Sequence, residues 1–191
     1  MKRLAVLTAL LLIVAAAPAA RAGQTVNIAN FSFSPASLTA GLGDRITFNN
    51  TAMIAHTSTS DDGFWNTGTM VGGSSEDVDF SASGRFPYHC AIHPSMRAVI
   101  IVPITVSPAG PVTAGTKLTI TFASDQVTGR TYTVQRRRGH KHWVTMASGT
   151  SALFVTYTPG RAGKLRFRAA AIMGGQMSGW SPKVLVRVTA P

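Results

Sequence analysis

The chain has 191 residues, 18 lysines and arginines against 7 carboxylates, and a single cysteine. That length admits one or two domains. The lone cysteine excludes an internal disulfide framework, and no stretch beyond the N-terminus is apolar for long enough to span a bilayer. The net charge of +11 is unevenly spread. Residues 23–103 hold three arginines against six carboxylates, whereas residues 104–191 hold twelve basic side chains against Asp125 alone. Two stretches of opposite sign predict two separate modules.

In chain order, Met1-Lys2-Arg3 precedes an apolar run over residues 4–17, and Ala20-Arg21-Ala22 supplies small residues at the spacing a signal peptidase reads. Residues 1–22 are therefore predicted to be a secretory signal peptide, with the mature protein exported to the periplasm or the cell exterior. Beyond it, Val26 and Ile28 alternate with polar residues, as do Ile46 and Phe48, which predicts half-buried strands. Gly41 and Gly43-Asp44 mark the turn between them. A loop or short strand carries His56, Asp61-Asp62-Gly63 turns the chain, and residues 68–75 form a Gly/Ser-rich loop. Val78 and Phe80 alternate, and residues 81–84 are expected to turn the chain again. Phe86, Tyr88 and Cys90 then share one face of a strand, with His89 on the other. Residues 99–102 read as a buried strand.

Chemistry concentrates in Tyr88-His89-Cys90-Ala91-Ile92-His93-Pro94-Ser95-Met96. A cysteine on a strand is usually an inert core residue; a single histidine or methionine is as ordinary. Cysteine, histidine and methionine three residues apart are a different matter, because thiolate, imidazole and thioether together suit copper. A second imidazole must come from elsewhere in the fold, and His56 is the candidate.

With those residues in view, residues 31–102 resemble a small cupredoxin of the plastocyanin/amicyanin group. The likeness rests on Phe31-Ser32-Phe33-Ser34-Pro35, on the stretch from Gly43-Asp44 to Asn49-Asn50, on His56-Thr57, on Asp62-Gly63-Phe64, and on Gly84-Arg85-Phe86-Pro87-Tyr88-His89-Cys90. The short Cys-to-His and His-to-Met gaps are closest to amicyanin. Ala98 departs from the family, which often has glycine there. The resemblance implies one type 1 copper held by His56, Cys90, His93 and Met96. It also implies that Asn49 or Asn50 pins the ligand loop.

Ser107-Pro108-Ala109-Gly110-Pro111 reads as a linker, since proline restricts the backbone. A second all-β pattern follows: Leu118, Ile120 and Phe122; Tyr132 and Val134; Leu165, Phe167, Ala169 and Ala171; Val184, Val186 and Val188. It resembles a fibronectin type III domain in residues 132–136, in residues 165–171, and in Ser178-Gly179-Trp180-Ser181-Pro182. Phe122 stands where that family often has tryptophan. The expected fold class is all-β: a cupredoxin Greek-key β-sandwich over residues 23–103, followed by an immunoglobulin/fibronectin III-like sandwich over residues 104–191.

The expected function is one-electron transfer at an exported copper centre, with a redox partner docking near His93 on a rim of Ile92, Pro94 and Met53. The alternative is a cell-surface copper-handling or envelope-binding module. An enzyme is not expected. The adjacent His89-Cys90 pair resembles that of multicopper oxidases and copper nitrite reductases, but five histidines are too few for a trinuclear cluster. The basic second half has no catalytic constellation. Its Arg136 to Arg138 and Arg166/Arg168 are expected to form one patch for an anionic envelope polymer or an acidic protein. Alternatively, Trp180 stacks on Arg166 or Arg168. His140 and His142 sit among cations that oppose a metal. Nucleic acid is not an expected partner.

Overall fold

The computed structural model describes residues 23–191, so the predicted signal peptide lies outside the described residues. Among those residues there are seventeen strands and no helix. The first eight are β1 (Gln24–Ala29), β2 (Ser32–Ser34), β3 (Ser37–Thr39), β4 (Asp44–Asn50), β5 (Thr59–Ser60), β6 (Ser75–Phe80), β7 (Gly84–His89) and β8 (Arg97–Val102). They build two four-stranded sheets, ordered β2-β1-β4-β6 and β3-β8-β7-β5. β1 runs parallel to β4 and β3 parallel to β8, while β7 and β8 are antiparallel. The alternation seen in the sequence aims Val26, Ile28, Ile46 and Phe48 from one sheet, and Phe86, Tyr88, Ile100 and Val102 from the other, into one buried core. Each large apolar side chain so removed from water contributes about 1.5–3 kcal/mol.

The remaining strands are β9 (Thr105–Ser107), β10 (Val112–Thr113), β11 (Leu118–Thr121), β12 (Arg130–Arg138), β13 (Val144–Thr150), β14 (Phe154–Tyr157), β15 (Gly163–Met173), β16 (Gln176–Met177) and β17 (Val184–Thr189). One sheet is ordered β14-β11-β9, the other β10-β17-β15-β12-β13, with β16 hanging on β15. Leu118, Ile120 and Phe122 pack with Tyr132, Val134, Leu165, Phe167 and Val186, and these buried residues are continuous with those of the first half in one apolar cluster.

Two expectations are corrected here. The predicted linker does not separate the halves: Ser107 already belongs to β9, and Pro108 to Pro111 only connect β9 to β10. Nor do residues 81–84 merely turn the chain, because they are the seam between the halves. Ala82 forms a β-bridge with Ala123, and Arg85 with Gly179. The Ser83 N–H donates to Phe122 O at 2.8 Å and the Ser124 N–H to Ser81 O at 3.0 Å. Arg130 donates to Ser81 Oγ at 2.9 Å and lies over the Phe64 ring. A side chain in place of Gly84 would meet Ser178 Oγ at 2.6 Å. The seam lies where β7 begins, and the other end of β7 runs into Cys90.

Candidate metal centre

β4 stops at Asn50, which is fully buried. Its amide holds the following loop from three sides, donating to Ile54 O and Met70 O, each at 2.9 Å, and accepting the Ala52 N–H at 3.1 Å. His56 is anchored by reciprocal backbone bonds with Met70, of 3.0 and 2.8 Å. On the opposite sheet β7 delivers Cys90, fully buried on the same face as Phe86 and Tyr88. The loop then folds back on itself. The Cys90 N–H donates to Met96 O at 3.2 Å and the Met96 N–H to His93 O at 2.9 Å.

This folding brings three donor atoms together. His56 Nδ1 and His93 Nδ1 are 3.2 Å apart, and Cys90 Sγ stands 3.6 Å from the first and 3.7 Å from the second. A point equidistant from all three lies about 2 Å from each, the length of a metal–imidazole bond and slightly short of a metal–thiolate bond. His56 and Cys90 are buried, and His93 is half-buried. Burial, and then the neighbouring His93, hold the His56 imidazole below its ordinary pKa, keeping it in the neutral form that binds metal. The Thr57 N–H donates to Cys90 Sγ at 3.3 Å, and Thr57 Oγ1 accepts the Ala91 N–H at 2.8 Å, so the residue after one histidine ties down the cysteine and the loop that carries the other. Two imidazoles and one thiolate in this triangle are a donor set suited to copper. His56, Cys90 and His93 are arranged as a copper site, consistent with one type 1 copper.

Met96, the fourth residue named from sequence, is buried at 2 % exposure where the loop closes. Asn50, not Asn49, pins the histidine loop; Asn49 instead donates to Asn27 on the surface. The His56 Nε2 is buried without a hydrogen bond, and the residue is held by its backbone bonds to Met70. His89 points away from the triangle, its Nδ1 2.5 Å from Asp61 Oδ1, with Arg97 on the same carboxylate. His140 and His142 lie exposed between β12 and β13. Trp180 stacks on Arg168, not Arg166, at 4.1 Å, and Trp143 covers the other side of the same guanidinium at 4.1 Å.

The sequence reading missed Phe31. Its ring meets His93 edge-on at 5.1 Å and 87°, although it is 60 % exposed and its backbone has φ 61°. Met53 and Ile92, expected beside His93, are exposed, as are Ile54 and Val71. The available signal was Asn30-Phe31, a two-residue turn between β1 and β2 with an aromatic where such turns favour glycine or asparagine.

The cupredoxin-like domain family matches residues 2–102, just over half of the chain. The chain belongs to the cupredoxin-like family. Among solved structures it is similar to a purple cupredoxin from Nitrosopumilus maritimus, with 22% identity over 41% of this chain and 98% of that one, at a TM-score of 0.40. It is likewise similar to an oxidised amicyanin variant, with 24% identity over 42% of this chain and 81% of that one, at 0.40. A reduced Cu(I) amicyanin variant gives 25% identity over 44% and 84%, at 0.41. No curated protein sequence matches. The first half thus has the cupredoxin fold, and the His–Cys–His arrangement within it suggests a copper or electron-transfer protein.

Proposed function

We propose that this cupredoxin is an exported one-electron carrier in which His56, Cys90, His93 and Met96 hold a single copper. The triangle of two Nδ1 atoms and one Sγ carries the reading. Copper, when bound there, supplies a Cu(II)/Cu(I) couple. The protein's part is to keep the donors still. Cys90 directly follows β7, and His56 is bridged to Met70 and tied through Thr57 to Cys90, so the frame has little freedom to rearrange between oxidation states. The Thr57 N–H draws electron density from the thiolate, a contact that tunes the centre from outside the ligand set. His93 is the half-buried member and the route to the surface. The redox partner docks against it on the apolar rim of Phe31, Met53, Ile54, Val71, Ile92 and Pro94.

We read residues 23–103 as the copper unit and residues 104–191 as a fibronectin type III-like sandwich. The facing sheets β9-β11-β14 and β13-β12-β15-β17 support that reading, as do the Ser178 and Ser181 hydroxyls, which accept the Ala171 and Ala169 N–H groups on either side of Trp180. Export rests on the first 22 residues, and N-terminal sequencing of the mature protein is expected to begin at Gly23.

Copper titration tests the carrier reading. One equivalent of Cu(II) is expected to give an intense blue species with narrow copper hyperfine splitting in EPR, absent in Cys90→Ser. A colourless protein, or copper binding indifferent to that substitution, would sink the proposal.

A further inference from the structure

Every ion pair among the described residues lies in the copper half. The second half has twelve basic side chains and the lone carboxylate Asp125, which accepts the N–H of Gln126. Its cations are also placed against the usual rule for sheets. Like charges directly opposite one another on neighbouring strands destabilise a sheet. Yet Arg137 on β12 stands in register with Arg166 on β15, and Lys164 on β15 with Arg187 on β17. Lys164, Arg166 and Arg187 alternate with buried residues, and Arg137, directly opposite Arg166, shares their outer face.

Neighbouring positions on that face are about 5 Å apart across strands and about 7 Å apart along them. Some of the charge is occupied within the fold: Arg168 is clamped between Trp143 and Trp180 and donates to Gln135, and Arg166 donates to Gly139 O. None of it is neutralised. Burial and the nearby Arg137 guanidinium lower the pKa of Arg168, as uncompensated positive charge does. Arg137 Nε is buried without a hydrogen bond.

From this register we infer that the outer face of β12, β15 and β17 binds a linear phosphate polyanion through Arg137, Lys164, Arg166 and Arg187. Rows of cations on a flat sheet fit a chain of repeated oxyanions, and guanidinium forks match phosphate geometry. The face's large apolar rings, Trp143 and Trp180, are taken up by stacking on Arg137 and Arg168, so it offers no free apolar centre of the kind a protein interface uses. It also lacks a group of apolar side chains to insert into lipid, since Leu185 is the one large exposed hydrophobic residue among the described positions of these three strands on that side. The face belongs to the half that meets the cupredoxin domain at the start of β7, whereas the copper triangle lies beyond that strand's far end, about 20 Å along it. A bound chain therefore leaves His93 and its rim free.

The test is independent of copper. Long-chain inorganic polyphosphate is titrated into the full chain by calorimetry, at low and physiological salt. Binding is expected to weaken steeply with salt, and Lys164→Ser/Arg166→Ser is expected to lose at least tenfold in affinity. The charge-matched control Lys117→Ser/Arg161→Ser, at exposed positions outside β12, β15 and β17, is expected to lose less than threefold. Circular dichroism and thermal melting establish that both variants are folded. Absence of binding at low salt would overturn the proposal, as would equal losses in the two variants. Tighter binding to anionic phosphatidylglycerol vesicles, or to polyglutamate, would overturn it in favour of a membrane or an acidic chain.

Discussion

The two halves use the same strand vocabulary and solve opposite problems. The copper half is acidic, pairs Arg45 with Asp79 and Arg97 with Asp61, and concentrates its exposed apolar side chains at one end. The second half has almost no acid. It holds its guanidiniums by stacking them on rings: Arg136 over Tyr157, Arg137 over Trp143, and Arg168 between two tryptophans. Ion pairing needs an opposite charge; stacking needs only a π face, and so leaves the positive charge uncancelled. The first arrangement keeps a pole quiet for short-range docking, while the second preserves a field.

The sharpest way to break the contrast is to separate the halves. Ending the chain after Pro103 removes Phe122 O, Gly179 and Arg130 from the seam. The truncated protein is expected to melt at least 10 °C lower than the full chain, or to aggregate, and the full chain to unfold in one transition by calorimetry. Two resolved transitions with an unshifted first one would show independent halves. Next comes Asn50→Ala, which leaves buried carbonyls and an N–H unpaired. It is expected to cost about 2–4 kcal/mol in denaturant unfolding and to weaken copper binding, with no effect on the basic face.

The mirror experiment is Arg168→Ala. Losing two stacked contacts is expected to cost about 1–2 kcal/mol, measured by urea unfolding, and to leave the copper spectrum unchanged. Phe31→Gly should act in the reverse sense. Relief of a left-handed backbone at a bulky residue is expected to stabilise the fold by about 1 kcal/mol, while freeing the His93 ring, read as exchange broadening of its NMR signals.

The smallest effect at neutral pH is Tyr88→Phe. Burial alone raises the Tyr88 pKa, and its hydroxyl is buried without a partner. A raised folded value means that the neutral phenol's contribution is complete below the unfolded tyrosine value, about 10, and is lost as pH climbs from there towards the folded value. The variant is expected to match or slightly exceed the wild type at pH 7 and to lose less stability above pH 10. Alkaline melting curves that superimpose would refute this. Burial also raises the Tyr132 pKa in the second half, so that half should retain the alkaline sensitivity.

The sequence was legible where chemistry is local. The spacing from Cys90 to His93 to Met96 is a short loop, and alternation placed Val26, Ile28, Phe86 and Tyr88 inward because strand geometry has a period of two. His56 was legible only because a second imidazole had to come from elsewhere in the fold. Phe31 was not legible as a contact of His93, since its position depends on a backbone angle that aromatic residues rarely adopt. Trp143 was hidden for another reason. The ring is 25 residues before its partner Arg168 in the chain, and nothing local marks the pair. The seam was misread because Ser81-Ala82-Ser83-Gly84 has the composition of a turn, and small residues serve equally well where two backbones approach closely.

β7 carries one further consequence. The strand that presents the thiolate is also the strand whose first residues are bonded to the other half. The copper pole and the basic face are therefore linked through six residues of paired backbone rather than through a flexible tether. Whatever the second half grips, the centre is held at a fixed standoff and a fixed aim, as an instrument on a bracket. Lengthening the connection between residues 103 and 104 with a glycine-serine insert would not set the pole free, because the chain's covalent joint is not the joint that determines where it points.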